Sequence, residues 1–339
     1  MKHHFPVLSD CTYLDTASSG ILTQSLYEWR RAHDREFLLK GSAFRIYQQD
    51  FLDGVRTTVG RFFRAANEST FLVPNFSYGF NNVLNLLSPG HSILLLKDDY
   101  PSLLNPLKAA GISVIEVEVD RDIHSRLYTA IRTYKPTIFA FSMVQYISGF
   151  KLGAAFVRTL KKDFPELLLL ADGTQWCGTE LIDFQQSGLD MLGASGYKWM
   201  LAGYGNGFML LSDQLRSVLE REDLRIAMEP GHLDTLNFGS LQESIRYLES
   251  AGMAHVQSKV SAISRAAHGA LASMGLLQGI AVETEYHSQL FNLKISRSIH
   301  HRLRSENIVC IERGEGTRVG FHFYNNEDDL RHLLDVLKV

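Results

Sequence analysis

An α/β fold follows from three features of this 339-residue chain. Short aliphatic runs alternate with amphipathic stretches. The hydrophobic fraction of 45% and the charged fraction of 21% are those of an ordinary globular protein. The texture also changes after residue 240. Strand then helix, repeated, requires crossover connections, and hence a mixed, mostly parallel sheet in a large domain with helices on both faces. The later change adds a smaller α+β C-terminal domain. The expected division is 1–20 as an N-terminal segment, 21–240 as the large domain and 241–339 as the small one.

The strand-like runs are 92–97, 112–118, 137–144, 167–172 and 207–212, each rich in aliphatic residues. Helix-like segments lie between them near 78–88, 101–110, 124–134 and 153–163. In such sheets ligands collect at the carboxyl ends of strands and the helix N-termini that follow. Beyond residue 240, Leu241, Ile245, Leu248, Met253, Val256, Val260, Ile263, Ala267 and Leu271 keep a helical spacing, which predicts one or two long helices over 241–275. Strands are expected at 287–296, 308–312 and 317–324, and helices at 297–305 and 326–337.

Charge and cysteine usage narrow the function class. A net charge of −3 gives no reason to expect nucleic acid or an anionic membrane as a partner. Cys11, Cys177 and Cys310 are too few and too scattered for a disulfide framework or a zinc site, so no metal is expected. The first residues lack the apolar core of a signal peptide, and no apolar run reaches the roughly 18 residues that span a bilayer. A cytoplasmic setting is expected.

Two segments carry the chemistry. The run LLLLADGTQ at 167–175 ends abruptly in Asp172, and a carboxylate at the end of a buried strand is expensive unless something cationic meets it. A helix cap or a loop ion pair is the plainer meaning of that residue alone. The second segment, SGYKWMLAGYGNGFMLLS at 195–212, sets Lys198 in a short turn. A lysine partly removed from water has a depressed pKa and a nucleophilic amine suited to a carbonyl cofactor. A surface loop lysine is the commoner case. The Gly203–Gly207 loop precedes a strand rather than a helix, which argues against a nicotinamide nucleotide.

Together these motifs resemble the class V aminotransferase superfamily of fold-type I pyridoxal 5'-phosphate (PLP) enzymes, which includes cysteine desulfurases, selenocysteine lyases, kynureninases and isopenicillin N epimerase. The resemblance runs from about residue 10 to 335. Tyr13-Leu14-Asp15-Thr16-Ala17 looks like the family's opening motif, which implies that the N-terminal segment, Ala17 included, lies near the substrate. Residues 73–81 look like the phosphate-binding turn, with the N–H groups of Phe76 and Ser77, the Ser77 hydroxyl and a helix N-terminus around a dianion. The segment Asp99-Tyr100-Pro101-Ser102 implies that Tyr100 stacks on the pyridine ring.

The resemblance also puts Tyr146 beside the ring or substrate, in place of the usual asparagine. Asp172 should pair with the pyridine nitrogen and Gln175 with the phenolic oxygen. Ser195 and Tyr197 should reach the phosphate, Tyr197 standing where many relatives have histidine, and Lys198 should hold PLP as a Schiff base. Residues 318–325, Arg-Val-Gly-Phe-His-Phe-Tyr-Asn, are similar to a family motif whose arginine grips the substrate α-carboxylate, which assigns that role to Arg318.

One departure shapes the expected function. Desulfurases carry a nucleophilic cysteine on a loop just before that arginine, and residues 312–317 hold none. The resemblance therefore implies a PLP enzyme acting on an amino acid as a lyase or epimerase, with transamination, or a PLP-binding protein that has lost catalysis, as the alternatives. It also implies a homodimer, with the partner's Gly203–Gly207 loop completing the phosphate site.

Overall fold

The computed structural model describes residues 2–109, 112–219 and 223–338. After β1 (Thr12–Tyr13), two helices, α1 (Gln24–Lys40) and α2 (Gln48–Phe63), lead into a seven-stranded sheet. Its strands are β2 (Thr70–Val73), β3 (Ile93–Leu96), β4 (Val114–Val117), β5 (Ile138–Ser142), β6 (Leu168–Asp172), β7 (Met191–Ser195) and β8 (Gly207–Leu211). They lie in the order β2-β8-β7-β6-β5-β3-β4, with β8 antiparallel to both neighbours and the other pairs parallel. The crossovers are α3 (Phe76–Leu86), α4 (Pro101–Ala109), α5 (Ile123–Tyr134) and α6 (Ala154–Asp163). The last residue of the expected 101–110 helix, Ala110, lies outside the described residues.

Every residue of β3, β5, β6, β7 and β8 is buried, because both sheet faces are covered. The period of two then divides each strand between two cores. Leu94, Leu96, Phe139, Phe141, Leu169 and Leu192 join a cluster with α2, α5 and α6. Their neighbours Ile93, Leu95, Ile138, Ala140, Leu170 and Met191 pack with α3 and α4 on the opposite face.

The chain continues through α7 (Asp213–Val218), α8 (Leu224–Met228), α9 (Thr235–Ala251) and α10 (Met253–Ser273). It then forms β9 (Leu290–Leu293), α11 (Arg297–Ser305), β10 (Ile308–Val309), β11 (Ile311–Arg313), β12 (Gly316–Gly320) and α12 (Glu327–Leu337). A three-stranded antiparallel sheet, β11-β12-β9, carries a separate apolar core. Leu241, Ile245, Leu248, Val256 and Val260 pack in the first core, whereas Ile263, Ala267 and Leu271 pack in this separate one. One helix, α10, therefore enters both.

The expected strand at 317–324 ends at Gly320, since His322 N–H turns inward to Asn325 Oδ1 at 2.8 Å. The run 308–312 is broken at Cys310 into two strands that join different sheets. Among the described residues no helix is long and apolar enough to cross a membrane, and no group of three or more His, Cys, Asp or Glu side chains is placed to hold a metal.

The edge strand β2 is tied down by a buried ion pair. Arg56 on α2 donates Nε–H to both Glu229 oxygens at 3.1 Å, and Glu229 also accepts from Leu72 N–H at 2.7 Å and Arg225 at 3.0 Å. Removing one partner of a buried pair strands the other charge. Arg56→Leu should destabilise the protein by about 3 kcal/mol in urea denaturation. A loss below about 1 kcal/mol would mean that Arg225 alone satisfies Glu229.

Candidate active site

The carboxyl ends of β5, β6 and β7, and of β2 through its antiparallel neighbour, open on one edge of the large sheet. Those strand ends and the loops leaving them carry most of the candidate residues, while Ala17 comes from the N-terminal segment and Arg318 from β12. Lys198 follows β7 in a turn closed by Leu201 N–H to Lys198 C=O at 3.0 Å. Leu201 adopts φ +59°, a left-handed conformation that a branched side chain rarely takes and that marks a tightly determined site. Gly20 crosses this turn, donating N–H to Tyr197 C=O at 2.7 Å. A β-carbon on Gly20 would sit 2.1 Å from the Lys198 carbonyl oxygen, so only glycine allows the approach.

Lys198 is 6% exposed, and its amine makes no hydrogen bond or ion pair among the described residues. Its amine lies 5.5 Å from the Tyr100 ring centroid and 5.5 Å from that of Tyr197. Burial lowers its pKa to about 8, against the pull of Asp172 and with help from Arg318 and Arg313. Asp172 ends β6, and Thr174, through its N–H at 2.8 Å, is its hydrogen-bond partner among the described residues. Burial raises the Asp172 pKa to about 6, opposed by Thr174 and Lys198.

The other expected residues take up definite partners. Phe76 N–H, at the start of α3, donates to Ser195 Oγ at 2.9 Å, and Ser77 Oγ donates to Ser102 Oγ at 2.6 Å. Asn75 caps α3 by accepting Tyr78 N–H. Tyr146 meets Tyr100 edge-on with centroids 5.0 Å apart, and Tyr197 stacks on Tyr204 at 4.8 Å. Gln175 donates to Ala17 C=O at 3.0 Å and accepts the Trp199 indole N–H at 2.5 Å. Arg318, 1% exposed, donates Nη1–H to Tyr146 C=O at 2.8 Å and Nη2–H to Ser18 and Asp15, while its Nε–H is buried without a partner.

Several further residues at the site have no part assigned from the sequence. Asp99 is buried, accepts Ser142 N–H at 2.8 Å and has its pKa raised by burial. Trp199 donates to Gln175 and offers its carbonyl to His322 Nε2 at 2.9 Å. His322 accepts Phe323 N–H on Nδ1, so Nε2 is assigned the proton, and burial holds the ring neutral with a pKa near 3. Gln289 donates to Gln175 C=O at 2.6 Å. None of these has a local pattern in the sequence, because each is defined by a partner more than a hundred positions away or by burial alone.

The cysteines stand apart from this chemistry. Burial raises Cys310 to about 11, with Sγ 3.8 Å from His300 Nδ1, and Cys177 is buried and raised as well. Both are held as thiols, the poor nucleophile.

The arrangement fits PLP on its own terms. A buried amine without a partner suits linkage to the cofactor aldehyde, and a buried strand-end carboxylate with spare acceptor capacity suits a protonated pyridine nitrogen. Aromatic rings beside the amine suit a flat heterocycle.

Comparisons with known proteins agree. The sequence profile of the family described as aminotransferase class-V matches residues 39–333. The chain is 22% identical to the uncharacterized aminotransferase YcbU of Bacillus subtilis (strain 168), covering 98% of this chain and 95% of that protein. It is 20% identical to a probable cysteine desulfurase of Methanothermobacter thermautotrophicus, covering 100% of this chain and 96% of the other. Among solved structures, a lysine-to-alanine mutant of C-DES with glycine covalently linked to its PLP superposes with a TM-score of 0.89 at 18% identity, covering 99% of this chain and 98% of that one.

The buried amine has a measurable consequence. A lysine with a folded pKa of about 8 and an ordinary value of 10.5 destabilises the fold fully below pH 8 and not at all above 10.5. In cofactor-free protein, Lys198→Met should therefore raise stability at pH 7 by about 3 kcal/mol, a gain that fades between pH 8 and 10.5. Urea denaturation of both proteins across that range checks it, and a pH-independent difference would show that the amine is not desolvated.

Proposed function

Because this chain belongs to the aminotransferase class-V family and is a PLP-dependent enzyme acting on an amino acid, we propose that Lys198 holds the cofactor and that the reaction is lyase- or epimerase-like. The observation that carries this reading is the Lys198 amine, buried without a partner between Tyr100 and Tyr197. When bound, PLP supplies an electron sink for negative charge developing at the substrate Cα.

In this reading Asp172 would hold the proton of the pyridine nitrogen, and Tyr100 and Tyr146 would hold the ring. Ser77, Ser195, Tyr197 and the start of α3 would bind the phosphate, with Phe76 N–H orienting the Ser195 hydroxyl. Gln175 would hydrogen-bond the phenolic oxygen. Lys198 would take and return a proton at Cα, and the burial that lowers its pKa in the cofactor-free chain favours the neutral amine that a general base needs. Arg318 takes the α-carboxylate, its unpaired Nε–H being the donor left for it, and Ala17 bounds the substrate.

Cys310 and Cys177 are both held protonated, which argues against a persulfide carried on an enzyme thiol, as a desulfurase would form. Transamination is the second reading, favoured by the name of the Bacillus relative. We further propose that the protein works in the cytoplasm as a homodimer, a reading supported by the exposed Phe37, Leu38, Leu39, Ile46 and Tyr47 at the end of α1 and in the segment that follows.

The visible spectrum tests the assignment. Wild type should show a borohydride-trappable absorption that one class of amino acids shifts, and Lys198→Ala should lose it; a protein that takes up no PLP would sink the proposal. Chiral and keto-acid analysis of the products separates epimerisation, elimination and transamination. Arg318→Gln should lower kcat/KM about a hundredfold through loss of a charge-assisted pair, and an unchanged value would remove Arg318 from the substrate site.

A further inference from the structure

The hairpin that carries Arg318 carries a second arginine toward the same place. β11 and β12 pair Ile311 with Arg318, Glu312 with Thr317 and Arg313 with Gly316. The two-residue turn between them starts at Gly314 with φ +60°, a conformation that suits glycine and fixes the register tightly. Residues directly opposite each other share a sheet face, as do residues two apart on one strand. Arg313 therefore shares the face of Ile311 and Arg318, and the residue opposite it, Gly316, has no side chain to block it. Glu312 lies on the other face, where it pairs with Arg297 at 3.3 Å.

The Arg313 guanidinium lies 5.7 Å over the Tyr146 ring. Tyr146 offers its carbonyl to Arg318 at 2.8 Å and its ring meets Tyr100, which in turn covers the Lys198 amine. A continuous aromatic wall thus runs from the reactive amine past the α-carboxylate arginine to Arg313. Arg313 is exposed and makes no ion pair among the described residues. Its positive charge acts on both Arg318 and Lys198, lowering the pKa of each. Asp15 lies within electrostatic reach of Arg313 but is already ion-paired with Arg318 at 3.5 Å, so one carboxylate is shared between two guanidinium groups and leaves positive charge that a ligand anion would offset.

We infer that Arg313 is a substrate-recognition residue for an oxyanion on the substrate side chain, so that the preferred substrates are amino acids with an acidic side chain. This rests on the reading of Lys198 and Arg318 given above. Arg318 then takes the α-carboxylate, and Arg313, at the outer end of the Tyr100–Tyr146 wall, takes the side-chain carboxylate. An aromatic face beneath the guanidinium keeps it oriented while leaving its N–H edge free for a planar partner.

The experiment compares PLP-loaded wild type, Arg313→Gln and Arg313→Lys with L-aspartate and L-glutamate against their isosteric amides L-asparagine and L-glutamine. Wild type should favour an acid over its amide in kcat/KM by about tenfold or more, the scale of a charge-assisted pair. Arg313→Gln should bring the two close to parity, and Arg313→Lys should keep part of the preference. Calorimetry gives a readout apart from turnover. The dissociation constant of the non-reacting dicarboxylate succinate should weaken about tenfold in Arg313→Gln while that of butyrate does not move. As Arg313 is exposed, the melting temperature should be unchanged. A wild type that uses amides as well as acids, or an acid preference that survives Arg313→Gln, overturns this inference and leaves the assignment of Lys198 standing. A protein whose spectrum answers no amino acid overturns both.

Discussion

Everything at this site is arranged around an amine that has been taken out of water without a counter-ion. The Lys198 amine has neither a hydrogen bond nor an ion pair among the described residues, and its burial is tolerated because the proton can leave near pH 8. A paired lysine would be more stable and chemically inert, whereas one free in solvent would hold its proton up to about pH 10.5. Holding the amine between these limits requires a turn that cannot relax. Leu201 is forced into a left-handed conformation, and Gly20 presses on the carbonyl of Lys198 itself.

Such a turn has to be fixed from outside, and the fixing groups come from distant parts of the chain. Trp199 is held by Gln175 through its indole and by His322 through its carbonyl. Gln175 is held in turn by the backbone at Ala17 and, through its own carbonyl, by Gln289. The N-terminal segment, the large sheet and the β9–β12 region therefore meet within one buried hydrogen-bond network. Because an unpaired polar group is costly at that depth, displacing any member disturbs the others. His322 is suited to this part, since a ring held neutral keeps its donor and acceptor assignments across the working pH range.

The electrostatics follow from the same geometry. Asp172 and Lys198 are both buried and both shifted toward neutrality, to about 6 and about 8, so that between those values the pair is oppositely charged with little margin. Asp99 adds a second buried carboxyl whose influence raises Asp172 further. On the other wall Arg318 is anchored by Tyr146, Ser18 and Asp15, with one N–H kept in reserve. Positive charge at Arg318 and Arg313 faces the amine, an arrangement suited to an anionic substrate.

Much of this was legible in the sequence because it is local. Aliphatic runs located β3, β5, β6 and β8, since a strand buried on both faces must be apolar throughout, and they also located the partly exposed β4, while amphipathic stretches located the four crossover helices. Asp172 at a strand end and Lys198 in a glycine-flanked turn were visible for the same reason. The strands β2 and β7 were not, although they are as long as the others; β7 carries a glycine in its centre, which breaks its aliphatic run. Helix α1 escaped notice because it buries Leu26 alone, leaving no apolar stripe to read. What the tertiary structure alone decided is which distant residues meet. Trp199 with His322, Gln175 with Gln289, and Arg313 on the face of Arg318 depend on the path of the chain between elements and on the register of one hairpin, and neither is written in the spacing of the residues that it brings together.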